Sequence, residues 1–191
     1  MKKIKRKTLE TKIKIKVNKK GKGEYSINTG IGFFNHMLET LSKHSGIDIN
    51  IECKGDIHID FHHTVEDCGI VLGKVLKKEL FPIKNIERFG HSSIPMDESL
   101  CECSIDLSNR PYLFLDLKET KGIIKDFDIE LVYEFFSALI SNLSITTHIE
   151  LKRGENKHHI VESCFKSFAV ALKNALKKNK KVKVPSTKGK L

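Results

Sequence analysis

The chain has 191 residues, of which 39% are hydrophobic and 30% charged, and its 34 basic and 24 acidic side chains give a formal net charge of +10. That is the composition of a soluble globular protein of one ordinary domain, and no apolar run approaches the roughly 20 residues of a membrane-spanning helix. Five cysteines without framework spacing point to free thiols, and the basic N-terminus lacks the apolar stretch of a signal peptide, so a cytoplasmic location is expected.

The positive charge is mostly lysine, spread along the chain with clusters at residues 2–7 and 177–183. The 11 phenylalanines fall at core spacing and do not alternate with basic residues as a base-stacking platform would. A lysine-rich solvated surface is the reading this favours, against nucleic acid; a positive field also suits a phosphorylated small molecule.

In chain order, residues 3–17 alternate apolar and polar and read as one half-buried strand, with Glu10 an acid among bases. Residues 18–23 carry turn chemistry, and 24–28 return as a second strand of a hairpin. Apolar positions 33, 34, 37, 38 and 41 mark one face of a helix, with His36 off its centre. Residues 47–53 alternate as a strand, and 57–60 continue the sheet.

Next comes Asp60-Phe61-His62-His63-Thr64-Val65-Glu66-Asp67, opening a helix that runs to Leu80 and stops at Phe81-Pro82. On that helix His62 and Glu66 are i,i+4 neighbours, whereas His63 is turned by about 100°. Two adjacent histidines therefore cannot easily share one ion, but each can serve a different one. The sequence has neither HExxH nor HxxEH, which disfavours a zincin-type protease.

Residues 88–98 read as a mixed loop, 99–107 as a strand, 108–111 as a turn and 112–117 as a strand. Arg88 and Arg110 flank these turns and together could clamp an anion. Residues 131–139 are helical, 145–151 a strand, and 154–156 turn into a second motif, His158-His159-Ile160-Val161-Glu162. The tail, residues 184–191, mixes hydroxyls, lysines and a glycine that could hold phosphate or simply fray.

The motif recurs at a shift of 96 positions, which also aligns Val65 with Val161, Cys68 with Cys164, Leu76 with Leu172 and Leu80 with Leu176. With two residues fewer between motifs, Ile51 meets Ile149 and Glu52 meets Glu150, and His36 falls opposite Glu134. The chain thus reads as a single domain of two pseudo-repeats, about residues 1–87 and 88–191. Two equivalent ligand sets follow: His36 and His63 with His158 and Glu162, and Glu134 and His159 with His62 and Glu66. Imidazole and carboxylate donors suit Mn, Fe, Co or Zn, and softness alone does not choose.

These segments resemble the imidazoleglycerol-phosphate dehydratase family of histidine biosynthesis. The resemblance covers nearly the whole chain and rests on residues 32–38, 60–67, 106–112 and 158–162, with Pro185-Ser186-Thr187-Lys188-Gly189. It implies the form without a fused phosphatase. It implies a duplicated α+β fold, two four-stranded sheets enclosing a helical layer. It also implies two Mn(II) ions per active site, other divalent transition metals being possible, at the subunit boundaries of a homo-oligomer of roughly two dozen chains. The reaction implied is loss of water from D-erythro-imidazole glycerol phosphate to give imidazole acetol phosphate.

By position, the metal ligands implied are the eight residues of the two sets. Glu10, Glu66 and Glu162 take the catalytic positions. Arg88, Arg110, Lys166, Ser186 and Lys188, with Thr187 beside them, look like the phosphate holders. Substrate contacts also fall to Glu10, His36, His44, His62, Glu66 and His158. Two positions depart from the family pattern: Glu134 stands where many members have histidine, and Ser45 where others place histidine before the glycine.

The expected chemistry is deprotonation of a metal-held imidazole, expulsion of hydroxide from the adjoining carbon, and loss of a C–H proton to a base, with Glu10 the candidate at the side chain. Two rivals are a dinuclear metallohydrolase and a basic RNA-binding module; the latter gives no reason for eight matched ligands.

Overall fold

The computed structural model describes residues 1–181 and 183–186. Its first half runs β1 (Lys2–Lys7), β2 (Thr11–Asn18), β3 (Tyr25–Asn28), α1 (Gly32–Ser45), β4 (Asp48–Gly55) and α2 (His62–Leu80). The alternation in β2 turns Ile13, Ile15 and Val17 into the core and leaves its lysines outward, as a one-sided strand requires. The single strand expected over residues 3–17 is broken, however. Thr8 Oγ1 accepts the backbone N–H groups of Glu10 and Thr11 at 3.2 and 3.0 Å, and this hydroxyl-stabilised turn folds the chain back. β1 and β2 then pair antiparallel, with Lys2 opposite Val17.

The hairpin expected between β2 and β3 does not form. The sheet order is β1-β2-β4-β3, so β4 lies between them, antiparallel to β2 and parallel to β3. Asp48, at the start of β4, decides this locally. Its carboxylate accepts the backbone N–H groups of Lys22 and Glu24 at 2.8 and 2.9 Å and the Asn18 amide at 3.1 Å, tying the 18–24 segment to β4 rather than to a tight turn. Residues 57–59, expected to prolong the sheet, form a turn with Ile57 and Ile59 exposed.

The second half repeats the plan: β5 (Phe89–Met96), β6 (Ser99–Asp106), β7 (Tyr112–Asp116), a small hairpin of β8 (Ile123–Ile124) and β9 (Phe127–Asp128), α3 (Glu130–Leu143), β10 (Thr146–Arg153) and α4 (Lys157–Ala175). Its sheet order is β5-β6-β10-β7, again with one parallel pair. Residues 88–98, read as a loop, contain β5; Ser93 and Pro95 dilute the apolar alternation there. The β8–β9 hairpin was not legible in the sequence.

The duplicated α+β arrangement is therefore present. α1 and α2 pack on the first sheet and α4 on the second, α3 touches β7, and the helices meet across the middle as α1 on α4 and α2 on α3. Gly69 and Gly73 permit the second contact. A Cβ on Gly69 would lie 2.7 Å from the Phe135 carbonyl, and one on Gly73 would lie 2.5 Å from that of Leu139. On the other side of α3, Phe165 stacks on Phe135 with centroids 5.4 Å apart and meets Phe136 at 4.9 Å. Buried aromatics of this kind dominate core energetics and fix how the helix layer sits.

Candidate metal centre

Both histidine pairs sit in the first turn of their helices, and local chemistry explains why the helices start there. Asn156 caps α4, its side chain accepting the backbone N–H groups of His158 and His159. Ahead of α2, Asp60 Oδ1 accepts the His62 N–H at 2.8 Å. These side-chain acceptors fix the backbone from which the imidazoles project.

Three of the four residues in the first ligand set come together within one chain. The donor atoms of His36, His158 and Glu162 all lie within 4.8 Å of one another, and they are the one such group among the described residues. Glu162 Oε2 is 3.2 Å from His158 Nε2 and 3.6 Å from His36 Nε2. α1 supplies His36 and α4 the other two, so the α1–α4 packing assembles the group. Phe33 braces His158 edge-on at 5.2 Å.

Glu162 is only 7% exposed, yet it is held ionised. Burial pushes its carboxyl pKa up, but the hydrogen bond and charge of Lys166, one turn along at 2.8 Å, with help from His36 and His158, outweigh burial and leave it below the usual value. His44 lies two turns beyond His36. Burial, and then the charge of Lys166, push its pKa down, so its imidazole is neutral at pH 7. Two imidazoles and one anionic carboxylate converging on a point are a fitting donor set for a divalent transition metal.

His63 does not join this group in the chain. Its Nδ1 is 2.9 Å from Asp56 Oδ2, and its Nε2 is 3.8 Å from Glu10 Oε1. The Asp56 hydrogen bond raises the His63 pKa, with Glu10 adding to it. Glu10 is held on the β1–β2 turn, which Arg6 and Thr11 fasten to the buried Asp67 of α2. His159 has a matching environment: Nδ1 is 2.8 Å from Glu98 Oε2, and Nε2 is 3.8 Å from Asp97 Oδ2. Sequence reading missed Asp56, Asp97 and Glu98, because they share no spacing with the histidines and only strand pairing brings them close.

The second ligand set is more open. His62 lines a cavity of about 320 Å³ with Asp60, Asp126, Asp128 and Glu130. Glu66 on α2 and Glu134 on α3 are half-buried, and the donors of this set do not gather to the spacing of the first.

The anion-binding residues divide into two places. Arg88 is spent on a forked pair with Asp106 (Nε–Oδ1 2.7 Å, Nη2–Oδ2 3.0 Å) and on the Pro185 carbonyl at 2.7 Å, which brings Ser186 alongside. Arg110 Nη2 lies 3.7 Å from the same Asp106 and is 67% exposed, so its guanidinium is the open one. Lys166 is elsewhere. The Arg88 backbone bonds to Ala175, nine residues beyond Lys166 on α4, about 13 Å along the helix. Thr187 and Lys188 lie outside the described residues.

Residues 29–172 match the family model described as imidazoleglycerol-phosphate dehydratase. Relatives of that name include one from Aliarcobacter butzleri, 59% identical over 97% of both chains, and one from Nautilia profundicola, 54% identical over 99% of both. Among solved structures, imidazoleglycerol-phosphate dehydratase from Staphylococcus aureus superposes with a TM-score of 0.83 at 42% identity, covering 93% of this chain and 99% of that one. The Pyrococcus furiosus enzyme, in complex with (S)-C348, gives 0.84 at 37% identity, covering 98% and 100%. On sequence, fold and the composition of its histidine–glutamate cluster, the chain belongs to the imidazoleglycerol-phosphate dehydratase family.

Proposed function

We propose that this chain dehydrates D-erythro-imidazole glycerol phosphate to imidazole acetol phosphate in histidine biosynthesis, using two Mn(II) ions per active site held by the two ligand sets. The convergence of His36, His158 and Glu162 carries the metal part of this reading. When bound, the metal holds the substrate imidazole and, as a Lewis acid, eases loss of its N–H proton.

The chain's own residues supply the rest. Lys166 keeps Glu162 anionic, so the site is ready to take a cation without first shedding a proton. Glu10, exposed on its pinned turn, takes the C–H proton next to the carbon that loses hydroxide. Arg110, Ser186, Lys188 and Lys166 position the phosphate, with Thr187 beside them. Arg88 fixes the chain that carries Ser186. Charge-assisted bonds of this kind orient a dianion well.

The site is completed between chains. His63 stands apart from the three-residue cluster, and Lys166 apart from Arg88 and Arg110, so a neighbouring copy brings the missing halves together. Leu9, Ile57 and Ile59, close in sequence to Glu10 and His63, are exposed apolar side chains that such a contact would cover. An assembly of 24 chains accommodates this through closed symmetry. No helix among the described residues is long and apolar enough to cross a membrane, in keeping with work in the cytoplasm.

The test is to strip the protein of metal, resupply Mn(II) and assay imidazole acetol phosphate. Product should appear only with metal. Absence of product with every divalent metal would overturn the proposal.

A further inference from the structure

The two halves hold their second histidines by the same ring atom at nearly the same distance, His63 Nδ1 to Asp56 at 2.9 Å and His159 Nδ1 to Glu98 at 2.8 Å. Strand register shows that these carboxylates do not occupy equivalent positions. Lys14 pairs with Glu52 in the first sheet, and Glu102 with Glu150 in the second. Aligning those pairs puts Glu98 at the position of Glu10; past the bulge between Leu151 and Arg153, Arg153 opposite Leu100 answers Lys54 opposite Lys12, so Glu155 stands at the position of Asp56.

Both halves therefore carry an acid at both positions, and each turns a different one toward its histidine. Gly154 answers Gly55, a Cβ on it lying 2.6 Å from Ser99 Oγ and 2.7 Å from Ile160 Cγ1 as one on Gly55 would meet Thr11 and Thr64, and the Glu155 side chain next to it is exposed. Glu98 reaches His159 instead, and is locked there by the backbone N–H groups of Asn156 at 2.8 Å and Glu155 at 3.2 Å. In the first half Asp56 takes the histidine, and Glu10, the counterpart of Glu98, stays half exposed on the Nε2 side. A contact merely inherited through duplication would come from equivalent positions. The same contact rebuilt from different elements indicates that the contact itself is what matters.

We propose that Asp56 and Glu98 are positioning residues that fix the tautomer and ring plane of His63 and His159. A carboxylate can only accept, so Nδ1 carries the proton and the Nε2 lone pair is presented to the metal. By taking His63, Asp56 also releases Glu10 from the structural duty its counterpart performs, leaving it for the substrate. This rests on the metal reading above.

Mn(II) titration of metal-stripped protein by calorimetry and by electron paramagnetic resonance tests it. Asp56→Asn and Glu98→Gln should each weaken Mn(II) binding by about 10–100-fold, while Glu10→Gln leaves the affinity within about twofold and lowers turnover. Circular dichroism and thermal melting check folding. Should Glu98→Gln lose its fold with the loop it ties down, Asp56→Asn, which removes a single side-chain contact, decides the matter. Parent-like Mn(II) affinity in folded Asp56→Asn overturns the inference and leaves the metal reading standing. So does an equal loss in Glu10→Gln. A parent protein that binds no Mn(II) overturns both.

Discussion

At the scale of single residues, the cluster on α1 and α4 depends on Glu162 being charged although buried. The Lys166 ammonium at 2.8 Å is the main reason, since burial alone would favour the neutral acid. Glu162→Gln preserves shape and removes the charge, and should weaken Mn(II) binding by about 10-fold or more and cut turnover by about 10²–10⁴-fold. Lys166→Met acts by the opposite route: it leaves the carboxylate without its cation, so loss of activity should begin at a higher pH on the acid side. Mn(II) titrations and pH–rate profiles of the two variants separate these effects. Sequence spacing identified His36, His158 and Glu162 as partners because i,i+4 geometry and the internal repeat are both visible in one dimension. It could not find Asp56 or Glu98, whose approach to the histidines is set by where β4 ends and where the β5–β6 turn falls.

At the scale of elements, strand pairing was the weakest part of the sequence reading. The β2–β3 hairpin was expected from turn residues at 18–23, but Asp48 draws that segment onto β4. Its carboxyl pKa is pushed up by burial and, more strongly in sum, down by the N–H groups of Glu24 and Lys22 and the Asn18 amide, ending below the ordinary value. A depressed carboxyl adds stability that is fully present above the unfolded value, about 3.9, and is lost as pH falls through the lower folded value. Melting temperature of the parent should thus fall on acidification below about pH 4. Asp48→Asn should melt lower than the parent at pH 7 and lose less of its stability on acidification. Equal slopes for parent and variant in acid would show that Asp48 does not hold this turn. The helices were read more accurately, since a buried face of period 3.6 survives whatever the helix packs against, and Phe33–Leu41 and Val65–Leu80 show it plainly.

At the scale of the whole molecule, the proposed division of the ligand sets between distant places makes a prediction that a self-contained site does not. His63→Ala and His158→Ala should each be inactive. Mixed after dissociation and reassembled, they should regain about a quarter of parental activity, because a random interface pairs the intact cluster of one variant with the intact His63 of the other in about one case in four. No recovery on mixing would mean that His63 and the His36–His158–Glu162 cluster do not meet across a boundary. The measurement is turnover against mixing ratio, with size-exclusion chromatography to follow assembly.

By itself the sequence determined the donor types, the duplication, the four long helices and the family. All of these depend on residue identity at short or repeated spacing. Only the tertiary structure decided which strands are neighbours, that Arg88 is spent on Asp106 and Pro185, and that His63 stands with Asp56 and Glu10 while His36 joins α4. Those outcomes depend on which surfaces bury each other and which carboxylate reaches which N–H across long sequence separations. The repeated His-His-x-x-Glu motif pointed to a candidate metal site from sequence alone, and the structure gathers His36, His158 and Glu162 as a group that could hold an ion. That the motif's two histidines part company, each held from Nδ1 by a carboxylate from a different place, is a consequence of the packed fold.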